Sequence, residues 1–146
     1  MRFFKKPAAP PTPDEDGPGS APPNVSVALA AVVDGVQGVI AAAVIDHETG
    51  LALATAGPAD LDLKTAGAGH LEVFRAERDL LAVLGIDDRL EDILITLGSQ
   101  YHLIRPLAAG QPLLLSIVFD RARANLGLAR HHLRDVEARL GAAVAD

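Results

Sequence analysis

The sequence predicts an α+β fold: a five-stranded antiparallel sheet sandwiched between a long middle helix on one face and the N- and C-terminal helices on the other. Three observations lead there. Residues 113–119, Leu-Leu-Leu-Ser-Ile-Val-Phe, form an almost unrelieved aliphatic run that fits a strand covered on both faces. Beyond Asp120, placed to cap a closing helix, Leu126, Ala129, Leu133, Val136 and Leu140 recur at the +3 and +4 steps of one helical face. Upstream, residues 93–97 and 101–107 precede that strand across tight turns (Gly98-Ser99-Gln100 and Gly110-Gln111-Pro112), the pattern of an antiparallel meander.

The elements can be taken in order. Residues 1–23 read as a proline-rich acidic tail with too few large apolar groups to repay its ordering entropy, so disorder is expected there and a single domain over 24–146. The tail opens on Arg2-Phe3-Phe4-Lys5-Lys6, either a short docking segment or an accidental sticky terminus. A short helix is expected from Ser26, as N-cap, to about Asp34. Residues 39–46 form the first strand, His47-Glu48-Thr49-Gly50 a turn with glycine at positive φ, and 51–56 the returning strand of a hairpin. The apolar stretch from Val25 to Ile45 is no membrane span. Asp34 would sit near mid-bilayer at a cost of about 2.5–3.5 kcal/mol, and Asp34-Gly35 reads as a turn.

The middle helix, 61–84, has two apolar faces. Leu63, Gly67, His70, Leu71, Phe74 and Leu81 make one; Ala66, Gly69, Val73, Ala76, Leu80 and Leu84 make its neighbour. Together they span roughly 200°, against the roughly 100° needed to pack on one sheet. One face meets the chain's own sheet; the other is expected to meet a second subunit, twofold homodimers being the commonest oligomers, unless the short first helix or a loop covers it. The dimer or partner interface is placed on Leu63, Gly67, His70, Leu71, Phe74 and Leu81, with Ile93 and Ile95 on the neighbouring strand.

Composition bounds the function. At 49% hydrophobic and 22% charged the chain can build a core, and with 3% aromatics that core must be aliphatic. The absence of cysteine rules out disulfides and thiolate metal sites and is compatible with the cytoplasm. A formal net charge of −6 argues against nucleic acid as a partner. Ala66 to His70 is glycine-rich, but it lies inside a helical pattern and matches no phosphate loop. His47, His70, His102, His131 and His132 lack metal-ligand spacing, and Ser116 has neither a glycine elbow nor an obvious base. Neither a cofactor nor catalysis is therefore expected. Asp87, Asp88, Glu91 and Asp92 surround Arg89 as an acidic rim, a docking patch or a solvated loop. In the last helix Arg123, Arg130 and Arg134 form a stripe, with Glu137 placed to pair with Arg134.

The run IVFDRARANLGLAR resembles the last strand and closing helix of the Roadblock family, the domains related to roadblock-type dynein light chains. DGVQGVIAAAVIDHETGLALATAG is similar to the family's opening helix end and first hairpin, and EDILITLGSQYHLIRPLAAGQPLLLSIVFD to its meander. The resemblance covers residues 26–143. It implies a non-catalytic homodimeric module, in bacteria commonly a regulator or scaffold of a Ras-like small GTPase, in some cases governing polarity and motility. The alternative it leaves open is a protein–protein adaptor in a signalling or polarity system with no nucleotide switch. In motility-type members the paired middle helices and the extended sheet are the working surface, which corresponds here to residues 63–81 and 93–97.

Overall fold

The computed structural model describes residues 23–107 and 112–145. The expected disordered tail lies outside these residues except for its last member, Pro23, which opens the first helix. The elements are α1 (Pro23–Gly35), β1 (Val39–Asp46), β2 (Ala52–Ala56), α2 (Leu63–Val83), β3 (Ile93–Thr96), β4 (Gln100–Pro106), β5 (Leu113–Asp120) and α3 (Leu126–Ala145). The strands form one antiparallel sheet in the order β2-β1-β5-β4-β3, so the aliphatic run is its central strand.

Two boundaries differ from the sequence expectation for physical reasons. Helix α1 starts three residues before Ser26, because proline at the first helical position has the right φ and needs no amide donor there. Asp120 does not cap α3. It closes β5 and turns its carboxylate onto the amide of Ala122 at 3.1 Å, while Asn125 Oδ1 accepts from Leu128 N at 3.0 Å and starts the helix. The expected turn after β1 is present. Asp46 Oδ1 accepts from the amides of Glu48 and Thr49, and Gly50 takes φ of 81°.

Side-chain alternation on the strands divides the core into two layers. Ala42, Val44, Leu103, Leu113, Leu115, Ile117 and Phe119 pack with Val25, Leu29 and Val32 of α1 and Ala129, Leu133, Val136 and Leu140 of α3. Residues of the opposite parity, Ala43, Ile45, Ile104 and Leu114, pack with Leu71 and Phe74 of α2, and Ala41 and Val118 pack with Leu63. The terminal helices thus cover one face and α2 the other. The α2 side is the thinner layer. Among the described residues no helix is long and apolar enough to cross a membrane.

Where α1 ends, the chain is forced close to the start of α3. Gly38, at φ 85°, lies where a Cβ would come 2.8 Å from both N and Cα of Ala124. Its carbonyl accepts from Asp120 N at 2.8 Å, tying the two terminal segments together at that end of the sheet.

Candidate functional site

The stretch with most to offer a partner is α2 together with the edge strand β3. Asp62 sets the helix in place: Oδ1 accepts from Thr65 N at 3.1 Å and Oδ2 from the Thr65 hydroxyl at 2.6 Å. From there the two apolar faces read in the sequence separate, except that Ala66 of the second face is buried at 8% exposure near the start of the helix.

The face assigned to an interface turns inward. Leu63, Leu71 and Phe74 are 8%, 3% and 4% exposed, and Gly67 is buried. A Cβ on Gly67 would meet Ile45 Cδ1 at 2.1 Å, so the absence of a side chain is what lets α2 settle on β1. His70 is buried too, and only Leu81 remains half-exposed. The placement of Leu63, Gly67, His70, Leu71 and Phe74 at a subunit contact is therefore corrected: the chain's own sheet uses that face. Ile93 and Ile95 lie half-buried on β3 against the same small core.

The adjacent face is the open one. Val73, Leu80 and Leu84 are 39%, 48% and 60% exposed, and Ala76 is exposed among them. Between this stripe and β3 runs a groove of about 500 Å³, lined by Val73, Ala76, Leu80, Leu90 and Ile93 with Glu77 and Asp92 at its margins. At the helix end Val83 and Ile86 continue the apolar surface. A second hollow of about 390 Å³ there is lined by Phe74, Leu81, Ile86, Leu90 and Leu107, with Arg78, Asp88 and Arg89 at its rim. Among the described residues strand β3 pairs only with β4, so its other backbone edge continues the groove as a row of amides and carbonyls.

Beneath α2 lies a buried polar relay that connects three elements. His70 Nδ1 meets Ser116 Oγ of β5 at 2.6 Å, and His70 Nε2 meets His102 Nδ1 of β4 at 3.2 Å. His102 Nε2 meets Gln100 Oε1 at 3.0 Å. The amide oxygen accepts, so His102 Nε2 carries the proton and Nδ1 is the acceptor. His70 must then donate from Nε2 and accept from the Ser116 hydroxyl at Nδ1. Every donor in this chain of contacts keeps an acceptor while at most one ring is protonated; with both charged, two N–H groups meet between the rings. Burial, with His102 alongside, lowers the His70 pKa to about 4, and burial lowers that of His102 as well.

On the other side of the sheet the arginines serve the fold. Arg130 holds Asp92 with Nε and Nη2, both at 3.0 Å, and Arg105 Nη1 reaches the same carboxylate at 3.2 Å. Glu137 pairs with Arg105 on β4, not with Arg134 of its own helix as the spacing suggested, because α3 lies across that strand. Asp92 is thus drawn out of the expected acidic rim to clamp the start of β3 to α3. Arg121 donates to Leu97 O at 2.9 Å and sits 5.5 Å from the Tyr101 ring centroid, so it too has a place within the chain.

Sequence reasoning missed the relay, though its signals were present. Ser116 and His102 are polar residues at buried strand positions of the parity that faces α2, and His70 is the one imidazole on that helix. Three polar groups facing one apolar interior have to find one another.

No family model matches the chain, and no curated protein does. Solved structures do. Myxococcus xanthus MglB superposes with a TM-score of 0.71 at 13% identity, over 81% of this chain and 85% of that one. The gliding protein MglB of Thermus thermophilus gives 0.70 at 20% identity, over 84% and 90%. A Roadblock/LC7 domain from Streptomyces avermitilis gives 0.62 at 14% identity, over 82% and 91%. At these identities the likeness is one of fold: the chain has the roadblock-type architecture.

Proposed function

We propose that this protein is a non-catalytic homodimeric regulator or scaffold that binds a Ras-like small GTPase. It acts by positioning the GTPase's own catalytic groups and supplies no chemistry itself. The observation that carries the reading is the exposed stripe Val73, Ala76, Leu80 and Leu84, which runs through the groove onto the open edge of β3. Such a surface is self-complementary about a twofold axis. Antiparallel pairing of β3 with its copy extends the sheet across both subunits and brings the two α2 helices side by side. The two-subunit platform is what a globular partner then meets.

Two further points support it. The Ser116–His70 contact has the atoms of a nucleophile and its base, but Ser116 is 4% exposed beneath α2, out of reach of a substrate. The gliding protein among the structural neighbours directs the reading toward motility, where a dimeric GTPase regulator has a use.

The test combines light scattering with single-turnover GTP hydrolysis by a small GTPase from the same genome. A dimer at micromolar concentration that binds the GTP-loaded partner and changes its hydrolysis rate is the expected result. A monomer ends the homodimer claim. A dimer that binds signalling proteins but leaves hydrolysis untouched replaces the GTPase regulator with an adaptor.

A further inference from the structure

Buried polar groups are usually spread through a core. Here the three buried polar side chains found among the described residues, His70, His102 and Ser116, lie together beneath one helix. We propose that the Ser116–His70–His102–Gln100 relay is an acid-sensitive latch, which holds α2 on the sheet while both imidazoles are neutral and releases it when they take up protons.

The hydrogen-bond directions set the mechanism. A proton added at His70 Nδ1 turns the acceptor of the Ser116 hydroxyl into a donor, so the hydroxyl must rotate away and the 2.6 Å contact is then kept only by reversing its direction. A proton on both rings is worse: His70 Nε2–H and His102 Nδ1–H then face each other across 3.2 Å. For a cation on His70, burial and the neighbouring His102 ring act in the same unfavourable direction. From β5 the relay meets Ser116, from β1 the cross-strand neighbour Ala43, from β3 Ile95 opposite His102, and from β4 His102 and Gln100. Arg105 and Glu137 lie on the opposite face of the sheet, and Asp92, which Arg105 holds at 3.2 Å, stands at the edge where the α2 groove begins. A further titratable group packed against α2 is His47, 5.3 Å from the Phe74 ring centroid. Its pKa is lowered by burial and by Arg78.

The layer that would yield is the thinner one. Leu63, Leu71 and Phe74 anchor α2 to a small apolar cluster, whereas α1 and α3 share the larger core with the sheet. Local opening draws on the least stable element. Its sign is fixed by the depressed pKa. Neutral His70 contributes its full stability above the unfolded value near 6.5, and that contribution is lost as pH falls toward about 4; the lowered His102 acts in the same direction. For His70 alone, between 6.5 and about 4, the equilibrium for opening rises about 30-fold from pH 7.5 to pH 5, and His102 shifts it in the same direction. The latch stands on the relay by itself. Its effect on assembly rests on the α2 dimer reading above.

The experiment follows amide-exchange protection factors and sedimentation of the full chain from pH 7.5 to 5, with the histidine rings observed by NMR. Expected are α2 amides losing protection ahead of those of β1 and β5, in step with protonation of both buried rings, and a dimer that dissociates over the same range. His70→Gln keeps an acceptor for Ser116 and a donor for His102 but does not titrate, so the acid opening should shrink to the part left to His102. Loss of protection in step across α2 and the central strands overturns the latch, as does an unchanged acid response in His70→Gln. If that variant fails to fold, the wild-type rings decide: titration near 6.5 with α2 still protected overturns it. A wild-type monomer at pH 7.5 refutes the dimer alone, and the exchange data still judge the latch.

Discussion

Leu80→Asp and Phe74→Asp lie on the same helix and should fail in opposite ways. Leu80 is 48% exposed, so about half of a leucine's burial, ~1.5–3 kcal/mol in full, is still to be gained at a contact. That is ~0.7–1.5 kcal/mol per subunit. A twofold interface counts it twice, giving ~1.5–3 kcal/mol before the charge is considered. Two aspartates desolvated near the axis add to this, so the dimer constant should weaken by at least about 100-fold, each ~1.4 kcal/mol being tenfold. The monomer should keep its fold, because Leu80 lies on the outer face of α2. Phe74 is 4% exposed among Ile45, Leu71, Ile104 and Leu114. Its truncation alone costs ~3–5 kcal/mol, and a buried carboxylate adds to that against a total stability of ~5–15 kcal/mol. Sedimentation velocity with thermal circular dichroism separates the outcomes: a folded monomer for Leu80→Asp, an unfolded or barely stable chain for Phe74→Asp. If Leu80→Asp sediments like the wild type, the outer stripe is not the interface. If Phe74→Asp is the well-folded monomer, the inward face has been misassigned.

Three further outcomes come from the same geometry. Asp92→Ala should cost ~1–2 kcal/mol in urea denaturation, less than a fully buried pair, since Arg105 keeps Glu137 and Arg130 can turn to water; no loss at all would mean the clamp between β3 and α3 carries nothing. Gly38→Ala combines a φ of 85° with a Cβ 2.8 Å from Ala124 backbone, and should cost ~2–4 kcal/mol by thermal denaturation without moving the dimer constant of the folded protein. Ser116→Ala leaves His70 Nδ1 without a donor and should lower stability by ~1–2 kcal/mol at pH 7.5.

How far these elements could be read from sequence depended on how many alternatives each pattern allowed. Residues 113–119 had one interpretation, since a continuous aliphatic run bounded by a proline and an aspartate suits a central strand, and β5 occupies Leu113–Asp120. The apolar breadth of α2 was equally legible. Which of its two faces points inward was not, because both are apolar and hydrophobicity alone does not rank them. Both carry a glycine as well: Gly67 turns out to lie where a Cβ would meet Ile45 at 2.1 Å, whereas Gly69 of the other face has nothing within 4 Å. Caps were harder still. Asp120 and Asn125 are both good N-caps, and the choice between them was made by where β5 stops pairing with β4, a fact about the sheet.

The sheet's alternation also explains why the two sides of β4 differ in chemistry. Arg105 and His102 are three residues apart and point to opposite faces, one into a charged clamp with α3 and the other into a neutral relay with α2. An ion pair keeps its strength across a wide range of pH, whereas two facing imidazoles repel once both are charged, and burial disfavours even the first charge. The terminal-helix layer is thus fastened by arginine and carboxylate groups, and the layer that bears the open stripe is fastened by groups that take up protons as the medium turns acidic. Placing a carboxylate beside the rings, as in Ser116→Asp, would stabilise the protonated pair if the helix tolerates it. The acid loss of α2 protection should then weaken or reverse. An acid response as steep as the wild type's would mean that charge on the rings is not what sets it.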